Sequence, residues 1–279
     1  MKLITWNIQW GLGIDGRLDL ARIVADAKRI ADFDVLCLQE VADNFPELKQ
    51  SRGENQFAEL AALLPGYTAI EGVAVDVPDG KGGRKRFGNM ILSRLPVGRV
   101  LRHAMPWEAD GLRSMPRLLL EAVVHAPFGP VRVMTTHLEF YSLVQRNAQV
   151  AAIREAHRLA CARAALPPAA ATGTFAPDVQ ARGAILTGDF NMTPDEAPVR
   201  DLLQPFAGDV PAFVDAWTAL NGTKPHPHSF CIYEQLHKPP HTSDYVLLTE
   251  DLRPRLTRVH YDVETQVSDH QPVLIELTE

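Results

Sequence analysis

Apolar and polar positions alternate along this chain with two distinct periods. Lys2–Ile8 reads as a strand, with Asn7 where it ends. After a loop carrying Gly11, Gly13 and Gly16, helical spacing sets in. Leu20, Ile23, Val24, Ala27 and Ile30 share one face behind Asp19, which has the side chain of an N-cap. Asp34–Gln39 is an unbroken apolar run of the kind seen in strands covered on both faces, and Glu40 stands at its end. A second helix is expected around Asn55–Leu64, with Phe57, Leu60, Ala61 and Leu64 together. Strand character returns over Asn89–Leu92, and then over Leu118–His125 and Val131–Thr136, a hairpin closed by Pro127, Gly129 and Pro130. A long helix is expected from Gln145 to about Arg163, a strand at Ala184–Thr187 and a short helix at Asp195–Gln204. Further strands follow at Asp244–Leu248, Leu256–Asp262 and Pro272–Leu277. No segment repeats at a fixed period.

Three stretches interrupt this pattern. Pro78–Arg86 (PDGKGGRKR) is a Gly-rich basic tip that reads either as a solvated hairpin or as a contact for phosphate or nucleic acid. Leu166–Gly183 is loaded with Pro, Ala, Thr and Gly and is expected to be an exposed insertion. It does not read as a domain linker, because strand signals resume at once. A single domain over residues 1–279, carrying this insertion at 166–183, is therefore expected. Pro225–His241 is a His- and Pro-rich loop. Its histidines 226, 228, 237 and 241 lack tetrahedral spacing and a regularly placed cysteine, so a substrate loop is favoured over a zinc site.

Composition narrows the class. With 46% hydrophobic residues the chain can bury a sizeable core. A formal net charge of −6 argues against a surface that grips nucleic acid everywhere. Cys37, Cys161 and Cys231 are widely scattered, which fits a reducing compartment, and Cys37 sits inside an apolar strand. The first residues enter strand-like sequence directly, without the apolar run and cleavage site of a secretory signal. No apolar run approaches the ~20 residues that span a bilayer. A soluble, cytoplasmic protein is the expectation, with no partner protein indicated.

The chemistry is concentrated at strand ends. Asn7, Glu40, His137, Asp189 with Asn191, Asp244, and Asp269 with His270 each sit at or beside the end of an expected strand. In AILTGDFN the strand breaks at Gly188, and its alternation projects Asp189 and Asn191 together while Phe190 turns the other way. Side chains gathered from several strand mouths converge once a sheet forms. Glu40 and Asp269 offer hard oxygen ligands and Asn7 a neutral one, a set suited to Mg²⁺ or Mn²⁺. His137 and His270 can donate to phosphate oxygens or move a proton near neutral pH.

These residues fall within TWN (Thr5–Asn7), LQE (Leu38–Glu40), GNMILS (Gly88–Ser93), THLE (Thr136–Glu139), GDFN (Gly188–Asn191), SDYVLL (Ser243–Leu248) and SDH (Ser268–His270). In that order, over nearly the full chain, the series resembles the endonuclease/exonuclease/phosphatase superfamily, typified by pancreatic deoxyribonuclease and the exonuclease III-type repair nucleases. The resemblance implies a four-layer α/β sandwich, two mixed sheets face to face with helices outside, and metal-assisted cleavage of a phosphate ester. By motif position Glu40 resembles the main metal ligand, with Asn7 and Asp269 nearby. Asp189 resembles the carboxylate that orients or deprotonates the attacking water, and Asn191 the amide that holds that water or a phosphate oxygen. Asp244 resembles the partner of His270, and His137 the second phosphate-side histidine. Whether Asp189 or His270 is the base stays open, with Asp189 favoured for the water and His270 as a charged stabiliser.

Three further residues are candidates for substrate contact. Arg146, which with Gln149 resembles an Arg/Gln pair near the family's site, could equally pack or cap. Arg117 could touch phosphate or form a surface ion pair, and Asn89 could lie near the site or simply in a turn. The sequence also departs from the family pattern. Thr242 and Ser243 precede Asp244 where many members carry Arg-Ile, and Val41 and Ala42 follow Glu40 where the exonuclease III-type enzymes carry Thr and Lys. LQEV is more similar to the branch of deadenylases, sphingomyelinases and tyrosyl-DNA phosphodiesterases, which argues against abasic-site repair. The expected activity is hydrolysis of a small or locally bound phosphodiester. A DNA or RNA nuclease is the alternative, and a catalytically silent binding module would need one of the central site residues to be missing.

Overall fold

The computed structural model describes residues 1–167, 170–234 and 239–279. In chain order the elements are β1 (Lys2–Asn7), α1 (Leu20–Ile30), β2 (Val35–Asp43), α2 (Gln56–Leu63), β3 (Thr68–Pro78), β4 (Arg84–Ser93) and β5 (Val97–Ala104). Then come β6 (Leu118–Ala126), β7 (Gly129–His137), α3 (Leu143–Ala164), β8 (Ala184–Asp189), α4 (Ala197–Leu202), β9 (Phe213–Asp215) and α5 (Ala216–Asn221). The described chain closes with β10 (Asp244–Thr249), β11 (Leu256–Tyr261) and β12 (Val273–Leu277). No helix among the described residues is long and apolar enough to cross a membrane.

Two six-stranded sheets result, ordered β11-β12-β1-β2-β4-β3 and β5-β6-β7-β8-β10-β9. Each has one parallel pair near its centre, β1 with β2 and β7 with β8, and the other described neighbours run antiparallel. Side-chain alternation sorts these strands into layers. Leu3, Val35 and Cys37 face Val133, Ile185 and Val246 in a core between the sheets. One residue along, Ile4, Leu36 and Leu38 face outward onto Ile23, Val24 and Ala27 of α1 and Phe57 and Leu60 of α2. On the far side Leu119, Met134 and Leu186 meet Val150 and Ile153 of α3 and Val199 and Leu202 of α4. Each such side chain, fully withdrawn from water, contributes roughly 1.5–3 kcal/mol. Helix, sheet, sheet, helix is the four-layer α/β sandwich.

Local chemistry explains the helix starts. Asp19 and Ser142 accept the third backbone N–H of α1 and α3 at 3.2 Å and 3.1 Å. The strands that the apolar pattern does not announce, β3, β5 and β9, all lie at sheet edges. An edge strand has only one neighbour and is covered less completely, so its sequence carries a weaker alternation. The basic tip is the turn of the β3–β4 hairpin and is shorter than PDGKGGRKR, since β4 already begins at Arg84. Arg84 pairs with Asp76, Lys85 with Glu47, and Arg86 with Asp43 and Glu71. The described residues from 170 to 180 are mostly exposed and contain one short turn of helix at Gly173–Phe175.

Candidate active site

The two parallel pairs end at the same edge of the sandwich. In the first sheet Asn7 lies beside Gln39, and in the second His137 lies beside Asp189. β10 runs the other way and begins with Asp244 opposite Asp189. The loop before β12 delivers Asp269 and His270. Regular alternation would send Glu40 outward with Leu36 and Leu38. Instead the β2–β4 register shifts between Leu38 and Val41, and Glu40 takes a left-handed φ of 62°. That bulge leaves its carboxylate at the mouth of the strand. Asn191 also has positive φ, 53°, just beyond the GDF turn. Phe190 points away and stacks on Tyr245 at 5.2 Å, so Asp189 and Asn191 share the opposite side.

A polar layer separates the inter-sheet core from this edge. The Gln39 amide donates to Thr135 at 2.8 Å and Thr5 at 3.2 Å, tying the two sheets together under the site. Above it, Asp189 Oδ2 is the convergence point. It accepts from Asn7 Nδ2 at 3.0 Å and faces His137 Nε2 at 3.5 Å and His270 Nε2 at 3.6 Å. Its other oxygen accepts the Asn191 backbone N–H at 2.9 Å. Asn7 Nδ2 also reaches Glu40 Oε1 at 3.2 Å, and His137 Nδ1 lies 3.8 Å from the same oxygen. On the far side of His270, Nδ1 meets Asp244 Oδ2 at 2.8 Å.

Burial and charge set the protonation states. Burial first, then the neighbouring Asp269 charge, lifts the Glu40 carboxyl to about 7. Burial lifts Asp269 as well. Burial also works against ionised Asp189, but the positive field of His270 and its hydrogen bonds hold it below the usual carboxylate range. His270 is buried too, yet Asp244 and then Asp189 hold its pKa well above that of a free imidazole. His137 goes the other way, to about 3, because it is buried and lies near the Arg117 guanidinium. One histidine is therefore cationic at neutral pH and the other neutral.

A cleft of about 600 Å³ opens over this cluster, with Glu40, His137, Asp189, Asn191, Asp269 and His270 on its floor. Asn7 and Asp244 lie behind that floor, each fully buried. Asn7 turns its amide nitrogen toward the two carboxylates, so in this arrangement it links them and does not present an oxygen. Arg117 lines the cleft and forms a buried ion pair with Glu139 at 3.3 Å, not a surface one. Its Nη1 is buried without a hydrogen-bond partner. Arg146 does not reach the cleft floor. Its guanidinium holds the Glu139 and Phe140 carbonyls at 2.9 Å and 2.7 Å and faces Glu196. Gln149 receives the Glu139 backbone N–H at 3.0 Å, so the Arg/Gln pair secures the chain just after His137. Asn89 is buried between strands, its amide donating to the Leu118 carbonyl at 3.0 Å. Among the loop histidines, His226 binds Asp215 at 2.7 Å and His241 Nδ1 meets the Pro239 carbonyl at 2.8 Å. His237 lies outside the described residues.

Sequence reasoning missed several contributors. Gln9, whose backbone lies at φ 45°, donates to Asp269 Oδ2 at 2.8 Å. Phe230 stacks on His270 at 4.3 Å, and Ser229 bonds Asp244. Ser268 Oγ clamps the Asn7 carbonyl at 2.7 Å, and Trp6 Nε1 holds the His270 carbonyl at 2.9 Å. Ser268 and Trp6 fall within SDH and TWN, so the motifs that carry the site residues carry their supports as well. Gln9, Ser229 and Phe230 lie outside any motif.

The donor chemistry of the cluster fits a divalent cation. Glu40 and Asp269 are half-buried carboxyls at the cleft floor, and the charge of the second raises the pKa of the first, the electrostatic signature of a site short of positive charge. Asp189, Asp244 and His270 also place one ligand-type atom each within 4.8 Å of one another. In that trio, however, the His270–Asp244 hydrogen bond already occupies the ring nitrogen and the carboxylate. The hard oxygens of Glu40 and Asp269 are the better fit.

No curated protein matches the sequence significantly. Among solved structures, an endonuclease/exonuclease/phosphatase from Beutenbergia cavernae superposes with a TM-score of 0.69 at 24% identity, covering 99% of this chain and 71% of that one. D. rerio TDP2, humanized by 14 mutations, gives 0.62 at 18% identity over 100% and 99% of the two chains. A mannosyl-6-phosphatase from Bacteroides thetaiotaomicron gives 0.61 at 15% identity over the full length of both. These likenesses are likenesses of fold. The model of the Endonuclease/Exonuclease/phosphatase family matches residues 4–270, nearly the whole chain, and the protein belongs to that family.

Proposed function

We propose that the chain hydrolyses a phosphodiester with the help of a divalent cation, Mg²⁺ or Mn²⁺. One observation carries this reading: Asn7 Nδ2 bridges Glu40 and Asp189, while His270, held by Asp244, faces the same Asp189 oxygen. Glu40 and Asp269 would hold the cation, which when bound supplies Lewis-acid polarisation of a phosphoryl oxygen. Asp189 orients the attacking water, with Asn191 beside it. Cationic His270 faces the charge that develops on the phosphoryl oxygens, and neutral His137 offers a hydrogen bond from the other side. Arg117 extends a buried cation toward the same anion.

The substrate this reading favours is small, or bound only near its phosphodiester. The cleft is compact, and Arg84, Lys85 and Arg86 of the β3–β4 hairpin are paired with acids within the protein. The test is turnover of a chromogenic phosphodiester with Mn²⁺, set beside cyclic nucleotides, phosphomonoesters, phospholipid headgroup esters and single- and double-stranded nucleic acid. Wild type should cleave a small diester with little response to salt, and Glu40→Ala should be inactive. Equal residual activity in the two proteins would sink the assignment. A steep decline with salt on polymer alone would make the enzyme a nuclease.

A further inference from the structure

Ser229, in the His- and Pro-rich loop, is bonded to two separate segments, the start of β10 and the loop before β12. Its hydroxyl oxygen accepts the backbone N–H of Ser243 and that of Asp244, each at 3.0 Å. The same hydroxyl donates to Asp244 Oδ2 at 2.7 Å. Its carbonyl accepts the Gln271 N–H at 2.7 Å, and the neighbouring ring of Phe230 stacks on His270, 21° from parallel. Ser229 is fully buried, so no water competes for these positions.

A hydroxyl has one proton and two lone pairs. Both lone pairs are engaged by backbone N–H groups, which cannot turn round and accept. The one proton must therefore point to Asp244 Oδ2, and in the ionised carboxylate that oxygen has no proton of its own to give. His270 Nδ1, 2.8 Å from the same oxygen, must then be the donor. This leaves Nε2 as the ring nitrogen turned toward Asp189 and the cleft.

We infer that Ser229 is a positioning residue that fixes the direction of the hydrogen-bond chain Ser229–Asp244–His270–Asp189. It keeps the His270 ring in the orientation that turns Nδ1 to Asp244 and Nε2 to the cleft. The consequence for turnover rests on the proposed phosphoesterase activity; the placement of the Nδ1 proton does not.

The experiment has two arms. In wild-type protein labelled with ¹⁵N at histidine, the His270 ring signals, identified by their loss in His270→Gln, should show a proton on Nδ1. A bare Nδ1 overturns the inference whatever the enzyme acts on. In the kinetic arm, Ser229→Ala should lower kcat about tenfold or more on the best diester of the panel, with KM within about twofold. Ser229→Thr, which keeps the hydroxyl, should recover most of the loss. A changed KM with intact kcat, or equal kcat in all three proteins, overturns the positioning role. Should Ser229→Ala fail to fold, Ser229→Cys, which keeps the size of the side chain but donates only weakly, replaces it and should show the same loss of kcat. With no turnover on any substrate but a protonated Nδ1, the proposed activity fails and the hydrogen-bond chain stands.

Discussion

A Cβ atom on Gly188 would lie 1.8 Å from the carbonyl oxygen of Thr136, its register partner on the adjacent strand. The glycine also holds φ 140°, a conformation that side chains disfavour. This close approach sets the next pair, His137 beside Asp189, at the mouth of the cleft. Gly188→Ala is therefore expected to lose about 3 kcal/mol or more and to abolish activity even where it folds. Urea denaturation measures the first. A loss below about 1 kcal/mol would mean that the strands can part here without consequence.

The sequence suggests a strand break at Gly188, but the strand runs on through it to Asp189; the glycine is there because the neighbouring backbone passes too close for a methyl group, which the sequence does not show. The same division runs through the molecule. Central strands such as β1, β2 and β8 show themselves because both faces are apolar, whereas β3 and β5 at the edges do not. Residues that end central strands were readable as a group, and Glu40, His137, Asp189, Asn191, Asp269 and His270 all line one cleft. What the pattern could not separate was reach. Arg117 and Arg146 look alike in sequence, yet one lines the cleft and the other is spent on two backbone carbonyls. Nor could it show Ser229 or Gln9, whose roles depend on which loop folds back over which strand.

Glu40 should trade stability for activity. Burial and the Asp269 charge both disfavour its ionised form, so Glu40→Gln removes an unfavourable charge from the cation-free protein. The variant should melt at or above the wild-type temperature in EDTA and yet be more than about a hundredfold less active. Mn²⁺ should raise the wild-type melting temperature by binding the folded state, and raise that of Glu40→Gln much less. Equal shifts in the two proteins would exclude Glu40 as a ligand.

A third buried histidine, outside the cleft, gives the fold an acid sensitivity. His157 takes an N–H from Arg132 on Nδ1 and lies 2.9 Å from the Pro211 carbonyl through Nε2. A neutral ring satisfies both contacts, whereas a proton on Nδ1 would face the Arg132 guanidinium. Burial and then that charge lower its pKa to about 4. Because the folded value lies below the unfolded one, the unfolded chain binds the extra proton first. Stability from this residue is complete above about pH 6.5 and is lost as pH falls toward 4, at up to about 1.4 kcal/mol per unit. His157→Gln should flatten the slope of unfolding free energy in that window. A variant with the wild-type slope would place the sensitivity elsewhere.

Arg117 and Glu139 form a pair whose members can be removed separately or together. Both are almost wholly buried and lie 3.3 Å apart. Glu139 also accepts the Tyr141 N–H at 3.0 Å, so its carboxylate organises the turn after His137. Arg117→Met leaves that carboxylate buried without its cation and should cost about 3–5 kcal/mol. Adding Glu139→Gln removes the stranded charge while keeping an acceptor for Tyr141, and should recover most of the loss. Activity should behave differently. The buried Nη1 that has no partner within the protein is missing from both variants, so the double mutant should regain stability and stay impaired. The double-mutant cycle, read once by denaturation and once by kcat/KM, separates the two roles. If activity returns with stability, Arg117 serves only to neutralise Glu139 and the phosphate must be held by His137, His270 and the cation alone.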